Sequence, residues 1–121
     1  MNEPQVQSLI AELRRGLARR PRDVIERTRQ AGILVALLVD GPAPSILLTR
    51  RAETLSSHRG EVAFPGGMRD EDDPDLVYTA LREAREEVGL PSASVEVVGQ
   101  IDDLLTVDGR VSVTPTIAVV R

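Results

Sequence analysis

The sequence predicts an α/β domain, and three observations support that class. Apolar residues recur with helical spacing in two segments, and several apolar runs between them have the length of strands. A chain of 121 residues has room for one compact core. Apolar residues make up 41% of the chain and charged residues 28%, a balance typical of globular proteins.

Residues 4–20 form the first predicted helix, since apolar residues recur there every three or four positions and Pro21 ends the pattern. Seven arginines lie in this helix and the segment after it, at positions 14, 15, 19, 20, 22, 27 and 29. A solvated face plus linker is the favoured interpretation of these arginines, and a substrate-binding role is the alternative. We therefore divide the chain into a helix and linker at 1–30 and the main domain at 31–121.

The main domain begins with a predicted hairpin. An apolar run at 31–40, a Gly-Pro-Ala-Pro turn and a second run at 45–49 indicate two strands of a buried sheet. Residues 51–60 read as a loop. A short strand at 61–64 leads into Pro65-Gly66-Gly67, where the glycine pair allows a sharp turn close to a ligand.

A second helix follows an acidic loop at 68–75. Asp73 is a suitable N-cap, Pro74 suits the first helical position, and Gly89 is a suitable C-cap. The predicted buried stripe of this helix consists of Val77, Leu81, Ala84 and Val88. Strands are predicted at 94–100, 101–105 and 111–120, with an Asp108-Gly109 hairpin turn before the last.

Charge and composition exclude several classes of function. Residues 31–121 carry eight arginines against fifteen acids, a net charge of −7, and only one Phe and one Tyr are present, so nucleic acid is not expected as a partner. The absence of cysteine excludes disulfides and thiolate metal sites. No apolar run is long enough to span a membrane and no signal-peptide pattern occurs at the N-terminus, so we expect a cytoplasmic protein without a membrane partner.

Eight of the fifteen acids fall between Asp70 and Glu87. Glu83 and Glu87 share one side of the second helix, and Glu86 lies about 60° from Glu83. Glutamates in a last helical turn oppose the helix dipole, which costs roughly 0.3–1 kcal/mol each. A hard divalent cation would relieve this crowding, whereas a solvated helix with ion pairs such as Arg82 to Glu86 is the alternative. We favour the metal site.

The segment from Gly67 to Leu90 resembles the Nudix box, the signature of hydrolases that cleave a nucleoside diphosphate linked to another group. That pattern is Gly, five residues, Glu, seven residues, then Arg-Glu-apolar-x-Glu-Glu-x-Gly-apolar. The matching positions are Gly67, Arg82, Glu83, Ala84, Glu86, Glu87, Gly89 and Leu90. Asp73 replaces the first glutamate, and eight residues rather than seven separate it from Arg82. Both departures resemble the coenzyme A pyrophosphatase branch of the family.

The resemblance to that branch covers about residues 30–120. Its segments are 47–51 (Leu-Leu-Thr-Arg-Arg), His58-x-Gly60, 62–67, 79–83, 98–101 and 113–115, together with Asp70 and Asp73. It implies a Nudix-type α/β/α sandwich with a mixed sheet. It also implies metal-dependent hydrolysis of the diphosphate bond of coenzyme A or its derivatives, giving 3′,5′-ADP and 4′-phosphopantetheine.

The same resemblance implies the roles of the site residues. Glu83 and Glu87 would bind Mg²⁺ or Mn²⁺, with Glu86 as a further ligand or proton acceptor, Arg82 orienting the glutamates and a carbonyl at Gly66 or Gly67 completing the site. The metal would neutralise the diphosphate oxygens and activate the attacking water. The candidates for substrate binding are Arg50, Arg51, His58 and Gly66, although strand-end arginines are often merely solvated and a lone histidine often serves a loop.

Members of this family usually continue well past the box, whereas 31 residues follow Leu90 here. We therefore expect an incomplete sandwich with an apolar face exposed near the last strand, either in a shortened chain or in one that a partner completes, such as a second copy in a homodimer. Two alternatives to the coenzyme A activity stay open. One is a Nudix hydrolase for another diphosphate, such as ADP-ribose, NADH or a nucleoside triphosphate. The other is a binding fragment or interaction module without catalysis.

Overall fold

One helix packs on each face of a six-stranded mixed sheet in the computed structural model, which describes residues 1–50 and 60–121. This arrangement confirms the predicted α/β class. Arg51 and His58, two of the substrate-binding candidates, lie outside the described residues. None of the helices in the described ranges is long and apolar enough to cross a membrane.

The helices are α1 (Glu3–Leu17) and α2 (Leu76–Val88), and a single 3-10 turn spans Ser92–Ser94. The strands are β1 (Arg29–Leu38), β2 (Ser45–Ile46), β3 (Thr49–Arg50), β4 (Val62–Ala63), β5 (Gly66–Met68), β6 (Val95–Gln100), β7 (Leu104–Leu105) and β8 (Val111–Val120). The order β2-β1-β8-β6 forms the body of the sheet, with β5 also paired to β1 and β7 also paired to β8. The central pair, β1 and β8, is parallel, and the pairs at its flanks are antiparallel.

Alternate residues of the two central strands supply the two halves of the core. On one face, Leu34 and Ala36 of β1 and Ala118 of β8 pack against Ala80 and Ala84 of α2. The other face is covered by α1, whose Val6 and Ile10 contact Val39 and Val119. The sheet therefore has a helical layer on each side.

The first helix ends at Leu17, three residues before the predicted end at 20. Beyond it the chain is held against the segment that follows β6. Arg20 makes a two-pronged ion pair with Asp102, with N···O distances of 3.0 and 2.6 Å, and Arg22 pairs with the buried Asp103 at 2.6 Å. These two arginines of the N-terminal set therefore serve the fold.

The second helix begins two residues later than predicted. Asp75, not Asp73, is its N-cap and accepts a hydrogen bond from the Tyr78 backbone N–H at 2.8 Å. Asp73 lies in the preceding loop and is buried. The predicted end of the helix is confirmed, because Gly89 adopts the left-handed conformation that closes a helix.

The buried face of α2 also differs from the predicted stripe. Thr79, Ala80 and Ala84 are buried, whereas Val88 is 39% exposed. The helix lies so close to β1 that a Cβ on Gly32 would stand 2.6 Å from the Leu76 carbonyl oxygen and 3.2 Å from the Ala80 nitrogen. Only small side chains fit between the two backbones, and the larger apolar residues lie at the flanks.

Two strand predictions are also wrong in part. The run at 45–49 is split between β2 and β3, and β3 pairs with β4 in a separate two-stranded sheet. The glycine pair at 66–67 does not turn. It belongs to β5, which pairs antiparallel with β1.

The last strand is buried rather than exposed. β8 follows the predicted Asp108-Gly109 turn, and most of its residues are buried because β1 and β6 flank it and a helix covers each face. Exposed apolar side chains occur instead in the neighbouring segment 101–107, at Ile101, Leu104, Leu105 and Val107. The strand itself is buried, and the exposed apolar surface that was expected near it lies in the segment before it.

Candidate functional site

A single arginine connects the acidic loop, strand β5 and the glutamates of α2. The Arg82 guanidinium donates to both carboxylate oxygens of Asp73, at 3.0 Å from Nε and 2.9 Å from Nη2, and to the Met68 carbonyl at 3.2 Å. Its remaining nitrogen, Nη1, donates to Glu83 at 3.1 Å and lies 3.3 Å from Glu86. All three guanidinium nitrogens are therefore engaged, which fixes the direction of the arginine and of the Glu83 carboxylate.

Asp73 is the buried anchor of that arginine. Its side chain is 1% exposed, and besides Arg82 it accepts from the Thr79 hydroxyl at 2.8 Å and from the Asp70 backbone N–H at 3.0 Å. The Arg82 guanidinium, aided by these two donors against the effect of burial, holds the pKa of the Asp73 carboxyl well below its usual range. The carboxylate in turn raises the already high pKa of Arg82. Asp73 is therefore an internal counter-ion and not a helix cap.

The acidic loop is closed by a second arginine. Arg69 donates to the Asp73 carbonyl at 3.2 and 3.1 Å and to the Pro74 carbonyl at 3.1 Å. It also donates to the Gln30 side chain on β1 at 2.9 Å, and its backbone N–H donates to the Gln30 carbonyl at 2.8 Å. Arg69 thus ties the loop that carries Asp73 to the central sheet.

Gly67 of β5 lies directly against the Glu83 carboxylate. A Cβ at this position would stand 2.6 Å from Glu83 Cδ and 2.7 Å from Oε1, closer than real Cβ atoms approach other atoms. A glycine is therefore required for Glu83 to reach the strand. This arrangement brings a predicted metal ligand beside the backbone that was expected to supply a carbonyl ligand.

The other two glutamates lie nearer the surface. Glu86 is 59% exposed on its side chain and makes the expected i, i+4 ion pair with Arg82. Glu87 is also exposed, one helical turn beyond Glu83. Both side chains can therefore change rotamer without disturbing the core.

The donors suit a hard divalent cation, because three carboxylates and a nearby backbone carbonyl are oxygen ligands of the kind that Mg²⁺ and Mn²⁺ prefer. In the conformation described for 1–50 and 60–121, no three acidic or histidine side chains are close enough together to enclose an ion. Rotation of Glu86 and Glu87 toward the fixed Glu83 would be needed to gather them.

Of the two described substrate-binding candidates, Arg50 lies in the small second sheet and Gly66 lies in β5 next to Gly67. Arg50 ends β3 and is exposed, opposite Val62 in the small second sheet. Gly66 packs against the β1 backbone, where a Cβ would lie 2.7 Å from Ile33 Cα, so strand packing accounts for this glycine. The structure therefore does not bring Arg50 into the network around Arg82.

Three residues that the sequence analysis did not select complete the polar network around Asp73 and Arg82, namely Arg69, Gln30 and Thr79. One signal was available for Arg69, since it is the sole basic residue of the acidic stretch 68–75. Thr79 belongs to the motif segment 79–83, although no role was predicted for it, and nothing in the local pattern marks Gln30, because its partner is distant in sequence.

Comparison with known proteins identifies related sequences and folds. The family profile described as NUDIX domain matches residues 28–120. A protein of Photorhabdus laumondii named uncharacterized Nudix hydrolase NudL is 44% identical over 97 residues, which is 80% of this chain and 51% of that protein. A Yersinia pestis protein of the same name is 47% identical over 92 residues, 76% of this chain and 45% of its own length. The chain thus spans about half the length of these curated relatives.

Solved structures show the same fold. The Nudix hydrolase RenU of M. smegmatis superposes with a TM-score of 0.62 at 27% identity, covering 79% of this chain and 63% of that one. The C. elegans Ap4A hydrolase gives a TM-score of 0.60 at 20% identity, with 75% and 67% covered. The matched region 28–120 contains the network that runs from Gln30 to Glu86. With its profile, relatives and fold in agreement, the chain belongs to the Nudix hydrolase family.

Proposed function

We propose that this chain carries the catalytic site of a metal-dependent diphosphatase that hydrolyses coenzyme A or its derivatives to 3′,5′-ADP and 4′-phosphopantetheine. The observation that carries the proposal is the Arg82 network, in which Asp73 holds the arginine and the arginine holds Glu83 against Gly67. The network fixes the Glu83 carboxylate beside the β5 backbone, which the i, i+4 ion pair of a merely solvated helix would not require. Membership of the Nudix family supports the reaction class.

The residues of the chain have distinct tasks in this proposal. Arg82 and Gly67 fix the direction of Glu83, so one ligand is preorganised before substrate arrives. Glu86 and Glu87, both exposed, complete the ligand set by rotation, and Glu86 also stands where it can accept a proton. A bound Mg²⁺ or Mn²⁺ would neutralise diphosphate oxygens and lower the pKa of water. Substrate phosphates would be bound by Arg50, Arg51 and His58.

The choice of coenzyme A rests on the sequence, through the motif that surrounds the box between residues 47 and 83. Other diphosphates are therefore the competing substrates for the same site. They share the anhydride and differ in the group attached to it, so a substrate panel separates them.

The test is product detection by mass spectrometry after incubation with Mg²⁺ and coenzyme A, ADP-ribose, NADH or a nucleoside triphosphate. We expect 3′,5′-ADP and 4′-phosphopantetheine from coenzyme A, and no product when a chelator is added. Preferred cleavage of another compound would refute the coenzyme A assignment while keeping the reaction. Silence over the whole panel would refute the catalytic proposal for this chain.

A matched pair of variants tests the site. Glu87→Gln removes a proposed ligand and should lower the rate by at least about 100-fold, with unchanged circular dichroism. Glu12→Gln makes the same chemical change on the exposed surface of α1 and should leave the rate as it is. Full activity of Glu87→Gln would contradict the assignment.

A further inference from the structure

We infer that Arg69 is a positioning residue for the reaction, which acts through the acidic loop and Asp73 on the direction of Arg82 and Glu83. The inference rests on the proposed function, because it concerns the same site. The hydrogen bonds of the Arg69 guanidinium go to backbone carbonyls and to Gln30 rather than to the glutamates. Arg69 must therefore act on the glutamates indirectly, through the groups that it binds.

The route of transmission is continuous. Gln30, on the central strand β1, accepts from both the side chain and the backbone of Arg69. The guanidinium then binds the carbonyls of Asp73 and Pro74, at the end of the loop. Each contact along this path is a hydrogen bond of 2.8–3.2 Å. The main chain of Asp73 is therefore held in a fixed position relative to the sheet.

The acidic loop requires these hydrogen bonds because repulsion among its own carboxylates opposes closure, the conformation in which Asp73 is buried. Five carboxylates lie within six residues, at positions 70, 71, 72, 73 and 75. Closure places the Asp73 carboxylate in a buried site where the Asp70 N–H, the Thr79 hydroxyl and Arg82 all donate to it. A cation that binds the loop carbonyls offsets the repulsion and selects the closed conformation.

Arg82 depends on that closure for its direction. Two of its three guanidinium nitrogens bind Asp73, and the third binds Glu83 and Glu86. If the loop opens, the arginine keeps its attraction to the glutamates and loses the opposing anchor. It would then collapse onto Glu83 and Glu86 and compete with a metal for their oxygens.

The chain offers a suitable variant and a matched control. Arg69 is exposed on the surface, so Arg69→Gln leaves no cavity and should fold. Arg27 is a comparable exposed arginine, which binds the carbonyls of Gly109 at 2.9 Å and Glu26 at 2.8 Å. Arg27→Gln therefore removes similar bonds at a place outside the path from Gln30 to the glutamates.

The first measurement is steady-state kinetics with Mg²⁺ on whichever panel compound the chain hydrolyses. Arg69→Gln should lower kcat by about 10-fold or more while KM changes less than about threefold, because orientation is lost and substrate contacts are kept. Arg69→Lys should recover part of the rate, since it keeps the charge and one donor. In an Asp73→Asn background, Arg69→Gln should have no further effect on kcat, because the path is already broken. Equal loss of kcat in Arg69→Gln and Arg27→Gln, or additive effects with Asp73→Asn, would refute the inference.

The second measurement needs no activity. The Arg82 Nε–H donates to the buried Asp73 carboxylate, so it should give a sharp, slowly exchanging signal in a ¹⁵N NMR spectrum of the metal-free chain. We expect Arg69→Gln to broaden or shift that signal and Arg27→Gln to leave it unchanged. A signal unaffected by Arg69→Gln would overturn the inference even if the chain hydrolyses coenzyme A. A signal lost as expected in an inactive chain would support the path from Arg69 to Arg82 but overturn the proposed function and, with it, the role of Arg69 in a reaction.

Discussion

Replacing Asp73 by Asn tests the internal ion pair directly, because the change removes the charge and keeps the shape. Of the two carboxylate oxygens, Oδ2 receives three donors, from Asp70, Thr79 and Arg82, whereas Oδ1 receives the Arg82 Nε–H. The amide that this substitution introduces would therefore keep its oxygen at the Oδ2 position and turn its NH₂ group toward Arg82 Nε. One charge-assisted hydrogen bond is lost and two donors face each other.

The size of the effect follows from these contacts. A hydrogen bond to a charged group contributes about 1.5–3 kcal/mol, and breaking a fully buried ion pair costs about 3–5 kcal/mol. Arg82 is 22% exposed and keeps the Met68 carbonyl and two glutamates as partners. The loss should therefore lie below the cost of breaking a fully buried ion pair. We expect Asp73→Asn to lower the free energy of unfolding by about 2–3 kcal/mol. Thr79→Val, which removes one neutral donor to the same carboxylate, should lower it by about 1 kcal/mol.

The assay is urea unfolding followed by circular dichroism, at several pH values. Because the pKa of Asp73 is lowered in the folded chain, its charge stabilises the fold above the ordinary carboxyl pKa of about 3.9, and this contribution disappears as pH falls toward the lower folded value. The difference between wild type and Asp73→Asn should therefore be constant from pH 7 to about 5 and shrink below about 4. A loss no larger than that of Thr79→Val, or a difference that grows at low pH, would refute the ion-pair interpretation.

Two further substitutions address the strand beside the site and the N-terminal linker. Gly67→Ala places a methyl 2.6 Å from Glu83 Cδ, so the rate of hydrolysis should fall by about 10-fold or more. Gly16→Ala is the control, because a Cβ at that position meets nothing within 4 Å. Equal rates in the two variants would contradict the contact between Gly67 and Glu83. Asp103→Asn weakens the buried carboxylate that accepts from Arg22, the Ile25 N–H and Thr114. Thermal unfolding should show a loss of about 2 kcal/mol and protease cleavage near residues 18–28 should accelerate, and a chain as resistant as wild type would argue against the linker being held there.

The helices and long strands could be predicted because their signals are local. The apolar spacing of α1, the glycine at the end of α2 and the turn before β8 each lie within a few residues of the feature that they determine. The apolar spacing of α2 predicted the wrong buried face, because the residues that face the sheet are determined by the close approach of the helix to Gly32 on β1. No window of the α2 sequence contains that information.

The start of α2 shows how a local signal can be ambiguous. Asp73 and Asp75 flank Pro74 and are equally good caps by residue type. The choice between them is made by Arg82 and Thr79, which bind the first carboxylate and leave the second to cap the helix. The burial of β8 is a similar case, because a parallel partner about eighty residues earlier in the chain sets it.

The acidic stretch between residues 70 and 87 divides into two parts with different causes. Asp73 is neutralised within the protein by Arg82, so it needs no cation from solution and its presence is no evidence for one. Glu83 is held by one nitrogen of the same arginine, and Glu86 and Glu87 remain at the surface in the last turns of the helix, where the dipole disfavours them. A cation would therefore be bound by these three glutamates and not by the whole cluster. If Mg²⁺ binding depends only on the direct ligands, Mg²⁺ should stabilise wild type and Asp73→Asn against urea to a similar degree. If the direction of the Glu83 carboxylate limits binding, Mg²⁺ should stabilise Asp73→Asn less than wild type. The network from Gln30 to Arg82 favours the second result, since it orients the Glu83 carboxylate through Asp73 and Arg82.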